Sequence, residues 1–445
     1  MSEAQDIAGS DAMKPEGYAA RDASLYLLLH VLQKKQPLDQ ALEREQRFKN
    51  LTARDRGFVR MLVSTALRRM GQIDDLIARA VEKQLPENMT LMNILRVGAT
   101  QIVFMDVADH AAVDLSVHLS INHGLASRKG FVNGVLRTLT REGRTWVQKQ
   151  DEVRLNTPEW LLKLWIDDYG FSDAAQIAAA HLSEAPLDIT IKDEADRNYW
   201  ASNLKATEML TGTLRKISGG AVHELPGFDD GDWWVQDASA AIPAKLFGEI
   251  KGQIVYDLCS APGGKTLQLA SMGANVNALD RSANRLKRLD ENLRRMGLSE
   301  KVRVLTEDAA SWALPEPASF ILLDAPCSAT GTIRRHPDVP HLKNPVDIER
   351  LVSTQANILE NAFAQLMVGG ILVYCTCSIQ RVEGEVQIDG FLARHDDAKR
   401  IPIVADELGG WDEAISAQGD LRILPYHQAA IGGMDGFYVA RLTKV

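Results

Sequence analysis

Residues 255–266 read VYDLCSAPGGKT, and this stretch decides the fold of the C-terminal half. An apolar run ends in Asp257, a Pro-Gly-Gly turn follows, and a helix begins near Thr266. Adjacent glycines let the backbone approach a ligand closely, and a helix N-terminus behind them favours polar or anionic groups. The GKT ending resembles a phosphate-binding loop, but that loop needs a glycine five residues before its second one, where Cys259 stands. The G-x-G-x-x-G pattern of a dinucleotide site is absent as well. An S-adenosylmethionine site is the reading that remains.

Outward from this loop, the runs QIVYDLC, NVNALD, VRVLTED, SFILLDAP and GILVYCTC are short, apolar and end in polar residues or cysteine. Helical segments such as ANRLKRLDENLRRMG lie between them. Strands alternating with helices predict a doubly wound, Rossmann-like parallel sheet from residue 236 to 445, and such sheets bind ligands at the carboxyl ends of their strands. The closing GFYVARL reads as an edge strand. Asp280 ends the second strand, where an acidic residue takes ribose hydroxyls; this reading is favoured over a cap on the next helix, for which Ser282 is available instead. Asp308 ends the third strand and is placed to accept a hydrogen bond from an adenine amino group.

Two earlier regions differ. Residues 18–147 carry apolar residues at three- and four-residue spacing throughout, which predicts an all-α domain, with Thr52 as the N-cap of one helix three residues before Asp55. Residues 148–235 mix a capped helix, an alternating LDITIK strand and turns, and read as a small α+β linker module. The polar, acidic residues 1–17 read as a disordered leader with no signal-peptide core. No apolar run approaches the ~20 residues that span a bilayer. A cytoplasmic, reducing location is the expectation, with free thiols. The chain carries a net charge of −9, but residues 1–150 hold 21 basic against 17 acidic side chains, leaving 29 against 42 for the rest. That asymmetry favours nucleic acid meeting the N-terminal part, through Arg54, Arg56, Arg60, Arg68 and Arg69 or through Arg128, Lys129, Arg137, Arg141 and Arg144. A solvated helix face is the competing reading.

All four cysteines fall in the C-terminal half, each at the end of an apolar run: Cys259 in DLCSAPGGKT, Cys327 in LLDAPCSATGT, Cys375 and Cys377 in LVYCTCS. Paired C-x2-C knuckles are absent, so no metal is expected. Methyltransferases acting on exocyclic amines carry an Asp/Asn-Pro-Pro-aromatic tetrad where this chain has Asp324-Ala325-Pro326-Cys327. A thiol in place of the aromatic points towards a ring carbon. Carbon 5 of cytosine is a poor nucleophile, and thiolate addition at carbon 6 turns the ring into an enamine able to accept a methyl group. That reaction needs a thiolate, a group such as Asp324 to hold the ring at N3 and the amino group, and a base for the C5 proton, for which Cys327 or water serves. Arg334, Arg335 and His336 follow the Pro-Cys loop and are placed to meet phosphates or to form a plain surface loop.

Taken together, DLCSAPGGKT, DAPCSATGTIRRHPD, YCTCSIQRVEGE and GGMDGFYVARL resemble the Nol1/Nop2/Sun RNA cytosine-C5 methyltransferases over the last ~200 residues, on motifs whose joint occurrence is specific. ARDRGFVRMLVSTALRR and GFVNGVLR resemble the NusB-type RNA-binding fold. The resemblance implies an enzyme that uses S-adenosylmethionine to methylate one cytosine of 16S ribosomal RNA, free or in an early small-subunit assembly, without membrane or metal. It implies Cys377 as the nucleophile and Cys327 as the residue that assists release. It also implies a cofactor pocket formed by Cys259, Ser260, Ala261, Pro262, Gly263, Gly264 and Lys265 with Asp280, Asp308 and Asp324, in which Lys265 also points toward the base. Cys375 is left for packing. Two departures stand out: Ala329 occupies a position where the family often has glycine, and an RRM-like middle module often reading LRVN here reads ITIK, with Thr190 and Lys192. A tRNA cytosine-C5 methyltransferase and a non-catalytic NusB-like RNA-binding scaffold are the alternatives.

Overall fold

The computed structural model describes residues 15–81, 84–217 and 222–445; the proposed leader lies largely outside them. The chain forms two compact units. One runs to Glu159 and takes in His336–Leu342; the other comprises Trp160–Arg335 and Lys343–Val445.

The first unit is helical. Helix Met89–Phe104 is its centre, with buried residues on every face, including Asn93, Gly98, Thr100 and Gln101. A helix that is apolar all round belongs inside a bundle. Its polar members turn inward on the helix itself: Thr100 Oγ1 donates to the Arg96 carbonyl at 2.6 Å and Gln101 Nε2 to the Val97 carbonyl at 2.8 Å. Gly98 allows close approach, since a Cβ there would lie 2.6 Å from Leu136 Cδ1 and 2.8 Å from Ser116 Oγ. Thr52 caps helix Ala53–Arg68 by accepting from the Asp55 N–H at 3.1 Å, as its spacing predicts.

In the second unit, strands β1 (Leu187–Ile191), β2 (Thr207–Glu208), β3 (Leu214–Lys216) and β4 (Trp233–Val235) form a small sheet in the order β2-β3-β1-β4, antiparallel throughout. β4 was not legible as a strand, because WWV follows a glycine- and aspartate-rich turn and is only three residues long. A buried bidentate pair anchors the module: Arg215 Nε and Nη2 each lie 2.7 Å from an Asp188 oxygen, and Arg215 Nη1 donates to the carbonyls of Ile431 and Gly433. Helix Glu159–His181 is broken at Gly170, which has φ 80°.

The large sheet contains β5 (Ile254–Leu258), β6 (Asn275–Leu279), β7 (Val302–Leu305), β8 (Ala318–Asp324), β9 (Leu366–Thr376), β10 (Ala398–Arg400), β11 (Leu421–Ile423) and β12 (Phe437–Lys444). Its order is β10-β12-β9-β8-β5-β6-β7, with β11 also pairing β12. β5 to β9 are parallel, as the alternation predicts. The expectation of an edge strand at the C-terminus is corrected: β12 lies antiparallel between β9 on one side and β10 and β11 on the other. Its six consecutive buried residues fit that interior position. The central strands are covered on both faces, so that Leu322 and Val373 enter one core while Ile321, Leu323, Leu372 and Tyr374 enter the other. No helix among the described residues is long and apolar enough to cross a membrane.

Asp257, at the end of β5, is fully buried, and its Oδ2 accepts from Thr266 Oγ1 at 2.5 Å. Burial raises its pKa to about 7 from an ordinary 3.8. Its folded form therefore holds a proton that the unfolded chain has released, so stability is highest below about pH 4 and declines as pH rises to about 7 on this account. Replacing Asp257 with Asn is expected to flatten that slope, worth on the order of 4 kcal/mol across the window, in chemical denaturation curves recorded from pH 4 to pH 8; an unchanged slope would contradict the assignment.

Candidate active site

β8 and β9 are parallel neighbours, and their register pairs Asp324 with Cys375. Their carboxyl ends therefore emerge side by side, and the two cysteine loops meet although they are 50 residues apart. Cys327 Sγ lies 3.4 Å from Cys377 Sγ. Cys375, the last but one residue of β9, is buried, and its Sγ lies 3.6 Å from Asp324 Oδ1. The other oxygen of Asp324 accepts from Lys265 Nζ at 2.8 Å. The Lys265 ammonium also stands 5.0 Å from the centre of the Phe437 ring. Lys265, Asp324, Cys327, Cys375 and Cys377 thus form one cluster.

The electrostatics divide these groups. Burial alone would lower the Lys265 pKa, but the Asp324 charge and the neighbouring Cys375 and Cys377 sulfurs outweigh it and raise the value, so Lys265 is a fixed cation. Contact with Cys377, together with burial, holds the Cys327 thiol well above its ordinary range. Burial, aided by the Asp324 charge, does the same to Cys375. Burial pushes Cys259 up to about 12. Three of the four cysteines are therefore held as thiols. The Cys377 sulfur lies within electrostatic reach of the Lys265 charge.

A second feature lies at the ends of β5, β6, β7 and β8: a pocket of about 320 Å³ lined by Cys259, Asp280, Arg285, Asp308, Pro326 and Asn357, among others. Ser260, Ala261, Pro262, Gly263 and Gly264 form the adjoining turn, which has a cis Ala261–Pro262 peptide, Cys259 at φ 61° and Gly263 at φ 110°. Asp280 is buried, and its carboxylate accepts from the N–H groups of Ser282 (2.8 Å) and Ala261 (3.2 Å) and from Arg285 (2.9 Å). Ser282, not Asp280, caps the following helix. Asp308 is exposed and accepts from the Ala310 N–H at 3.0 Å. Two carboxylates at adjacent strand tips over a glycine turn suit the hydroxyls and amine of a nucleoside, and the half-exposed Arg285 pairs with Asp280 at the pocket. Among the described residues, no group of three or more His, Cys, Asp or Glu side chains is placed to hold a metal ion.

The structure corrects the reading of Arg334 as a phosphate contact or plain surface, while Arg335 remains at the surface. Arg334 is buried and lies 3.6 Å from Asp435 and 4.0 Å from Asp237, while Arg335 is paired with Asp435 at 2.5 Å. Both brace the Pro-Cys loop from beneath. Gly331 belongs to the same brace: its N–H donates to the Cys377 carbonyl and its carbonyl accepts from the Gly436 N–H, both at 2.9 Å. Sequence reasoning also missed Glu383, Gln355 and Ser328, which bond one another beneath the two sulfurs. Only the position of Glu383 inside the quoted YCTCSIQRVEGE motif pointed to it.

A twisted parallel sheet with a glycine turn after its first strand and an antiparallel strand inserted near one end defines the doubly wound methyltransferase class, here preceded by a helical unit. A family model described as 16S rRNA methyltransferase RsmB/F matches residues 246–443, and a NusB family model matches residues 18–141. Ribosomal RNA small subunit methyltransferase B of Serratia proteamaculans is 32% identical over 96% of this chain and 99% of its own length. The protein of the same name from Pasteurella multocida is 34% identical over 84% and 85%. The crystal structure of PH0851 superposes with a TM-score of 0.78 at 23% identity, covering 97% of this chain and 99% of that one. A methyltransferase homolog protein from Pyrococcus horikoshii gives 0.53 at 25% identity, over 64% and 94%. The chain belongs to the RsmB/F family of 16S rRNA methyltransferases.

Ala329, the residue that departs from the family's usual glycine, has φ 60°, a left-handed conformation that costs an L-residue with a Cβ. Ala329→Gly is expected to raise stability by roughly 0.5–1 kcal/mol, the left-handed penalty less the extra entropy of glycine. Urea denaturation of the two proteins measures it, and a destabilised variant would contradict the account.

Proposed function

We propose that this chain transfers a methyl group from S-adenosylmethionine to carbon 5 of one cytosine in 16S ribosomal RNA, through a covalent bond between Cys377 and carbon 6. The observation that carries the reading is the meeting of Cys327 and Cys377 at 3.4 Å beside the Lys265–Asp324 pair. Bound in the pocket at the strand ends, with Asp280 on the ribose and Asp308 on the adenine amine, the cofactor supplies an electrophilic methyl group. The protein supplies the rest. Lys265 sets a positive charge near the Cys377 sulfur, which attacks as its thiolate. That thiolate adds to carbon 6, and Asp324 holds the N3 and amino edge of the ring so that the electrons released by addition make carbon 5 nucleophilic. After methylation, loss of the C5 proton to a base breaks the carbon–sulfur bond and returns Cys377. Cys327, in contact with the departing sulfur, assists that release. The target base leaves its stack to reach these groups.

We assign residues 18–147 to RNA binding, residues 148–235 to a linker module and residues 236–445 to catalysis, in the cytoplasm. Support for the first assignment comes from the exposed Arg54, Arg60, Arg128, Lys129, Arg137 and Arg141 on its helices.

Cys377→Ala is expected to abolish methyl transfer with cofactor binding by calorimetry intact, while Cys327→Ala accumulates a denaturation-resistant protein–RNA adduct. Transfer by the first variant, or no adduct with the second under turnover conditions, would count against the two roles. Bisulfite mapping of RNA from cells with and without the protein is expected to show one 16S cytosine losing its modification; loss confined to tRNA would redirect the substrate assignment.

A further inference from the structure

Beneath the two sulfurs lies a buried carboxylate that no step above employs. Glu383 is fully buried. Its Oε1 accepts from the Ser328 N–H and from Gln355 Nε2, both at 2.9 Å. Its Oε2 accepts from Ser328 Oγ at 2.5 Å and from Ser378 Oγ at 2.6 Å. Ser328 follows Cys327 and Ser378 follows Cys377, so one carboxylate grips the residue next to each sulfur. Gln355 extends the grip, since the same Nε2 reaches the carbonyl of Pro326, on the other side of Cys327, at 2.9 Å. The Glu383 backbone is fixed in turn, its carbonyl accepting from Tyr374 Oη at 3.0 Å and Thr376 Oγ1 at 3.3 Å. A buried carboxylate is tolerated only where it is this fully satisfied.

We propose that Glu383 is a positioning residue for the methyl-transfer site: its carboxylate clamps the Cys327 loop to the Cys377 loop and sets the contact between the two sulfurs. Its charge has a second effect of the same sense. It adds to the influences that hold Cys327 as a thiol, so the clamp that places both sulfurs also keeps them chemically distinct. The titratable groups facing Cys327 include Glu383, Cys377 beside it and the Tyr374 hydroxyl on β9. The inference rests on the reading of Cys377 and Cys327 given above.

Glu383→Gln keeps the shape but removes the charge and presents a donor where Glu383 accepts. Glu383→Asp keeps the charge but shortens the reach. For Glu383→Gln, turnover is expected to fall roughly 100-fold, the scale of an ångström-sized misplacement, with calorimetric affinity for S-adenosylmethionine unchanged. In a Cys377→Ser background, peptide mass spectrometry of iodoacetamide labelling at Cys327 is expected to show its pH midpoint moving down in Glu383→Gln and returning in Glu383→Asp. Turnover in Glu383→Asp remains low, because reach is lost. Wild-type turnover in either variant, or an unmoved labelling midpoint in Glu383→Gln, overturns the proposal. If Cys377→Ala retains methyl transfer, the underlying reading fails instead, and the labelling experiment, which needs no RNA, still reports on Glu383.

Discussion

The parallel pairing of β8 with β9 is the constraint on which the site depends. Parallel neighbours end at the same edge of a sheet, so the loops after Asp324 and Thr376 are forced together. The register fixes how closely: Asp324 stands opposite Cys375, which leaves Cys327 three residues and Cys377 one residue beyond the ends of their strands. A one-residue slip would exchange the faces of every side chain on β9, sending Val373 into the core that receives Leu372 and Tyr374 and separating the sulfurs. The apolar covers on the two faces, which make that slip costly, thereby hold a chemical distance at the edge.

Charge at this edge is divided with little exchange between neighbours. Asp257, Asp280 and Asp324 end three adjacent strands, and three ionised carboxylates crowded together would repel one another. The structure relieves this differently at each. Asp257 is buried with Thr266 as its partner and takes up a proton far more readily than an ordinary aspartate. Asp280 is held by two backbone N–H groups and Arg285. Asp324 has Lys265. The last pair lies against the Cys375 sulfur, and its one lysine also acts on the Cys377 sulfur.

The parallel sheet, the glycine turn and the helical unit were legible because periodicity and strand-end chemistry are local properties of sequence. Thr52 and Ser282 as caps were legible for the same reason. What escaped depends on pairing across long separations. Nothing near residue 437 announces that β12 inserts between β9 and β10, because an interior antiparallel strand and an edge strand share the same apolar run. Arg334 read as part of a phosphate-facing or plain surface loop, since Asp435, which it meets in the interior, lies a hundred residues away. Glu383 lies inside the quoted YCTCSIQRVEGE motif, but its partners Ser328 and Gln355 are 55 and 28 residues away. Cys375 read as packing, and it is buried, but its sulfur also lies against Asp324.

These misreadings share a location, and that has a mechanistic meaning. The insertion of β12 brings Gly436 against Gly331, where a Cβ on Gly331 would come within 1.9 Å of the Gly436 carbonyl oxygen. The Pro-Cys loop is thereby seated on the turn that precedes β12, with Asp435 receiving Arg334 and Arg335 beside it. Glu383 and Gln355 hold the same loop from the side of β9. The loop that carries Cys327 is supported on both sides, and the support is polar because loops carry unpaired N–H and C=O groups that an apolar floor would leave unsatisfied. The Cys377 sulfur, to which we assign the attack, is reached by following one strand; the loop that faces it is seated on a turn from the far end of the chain.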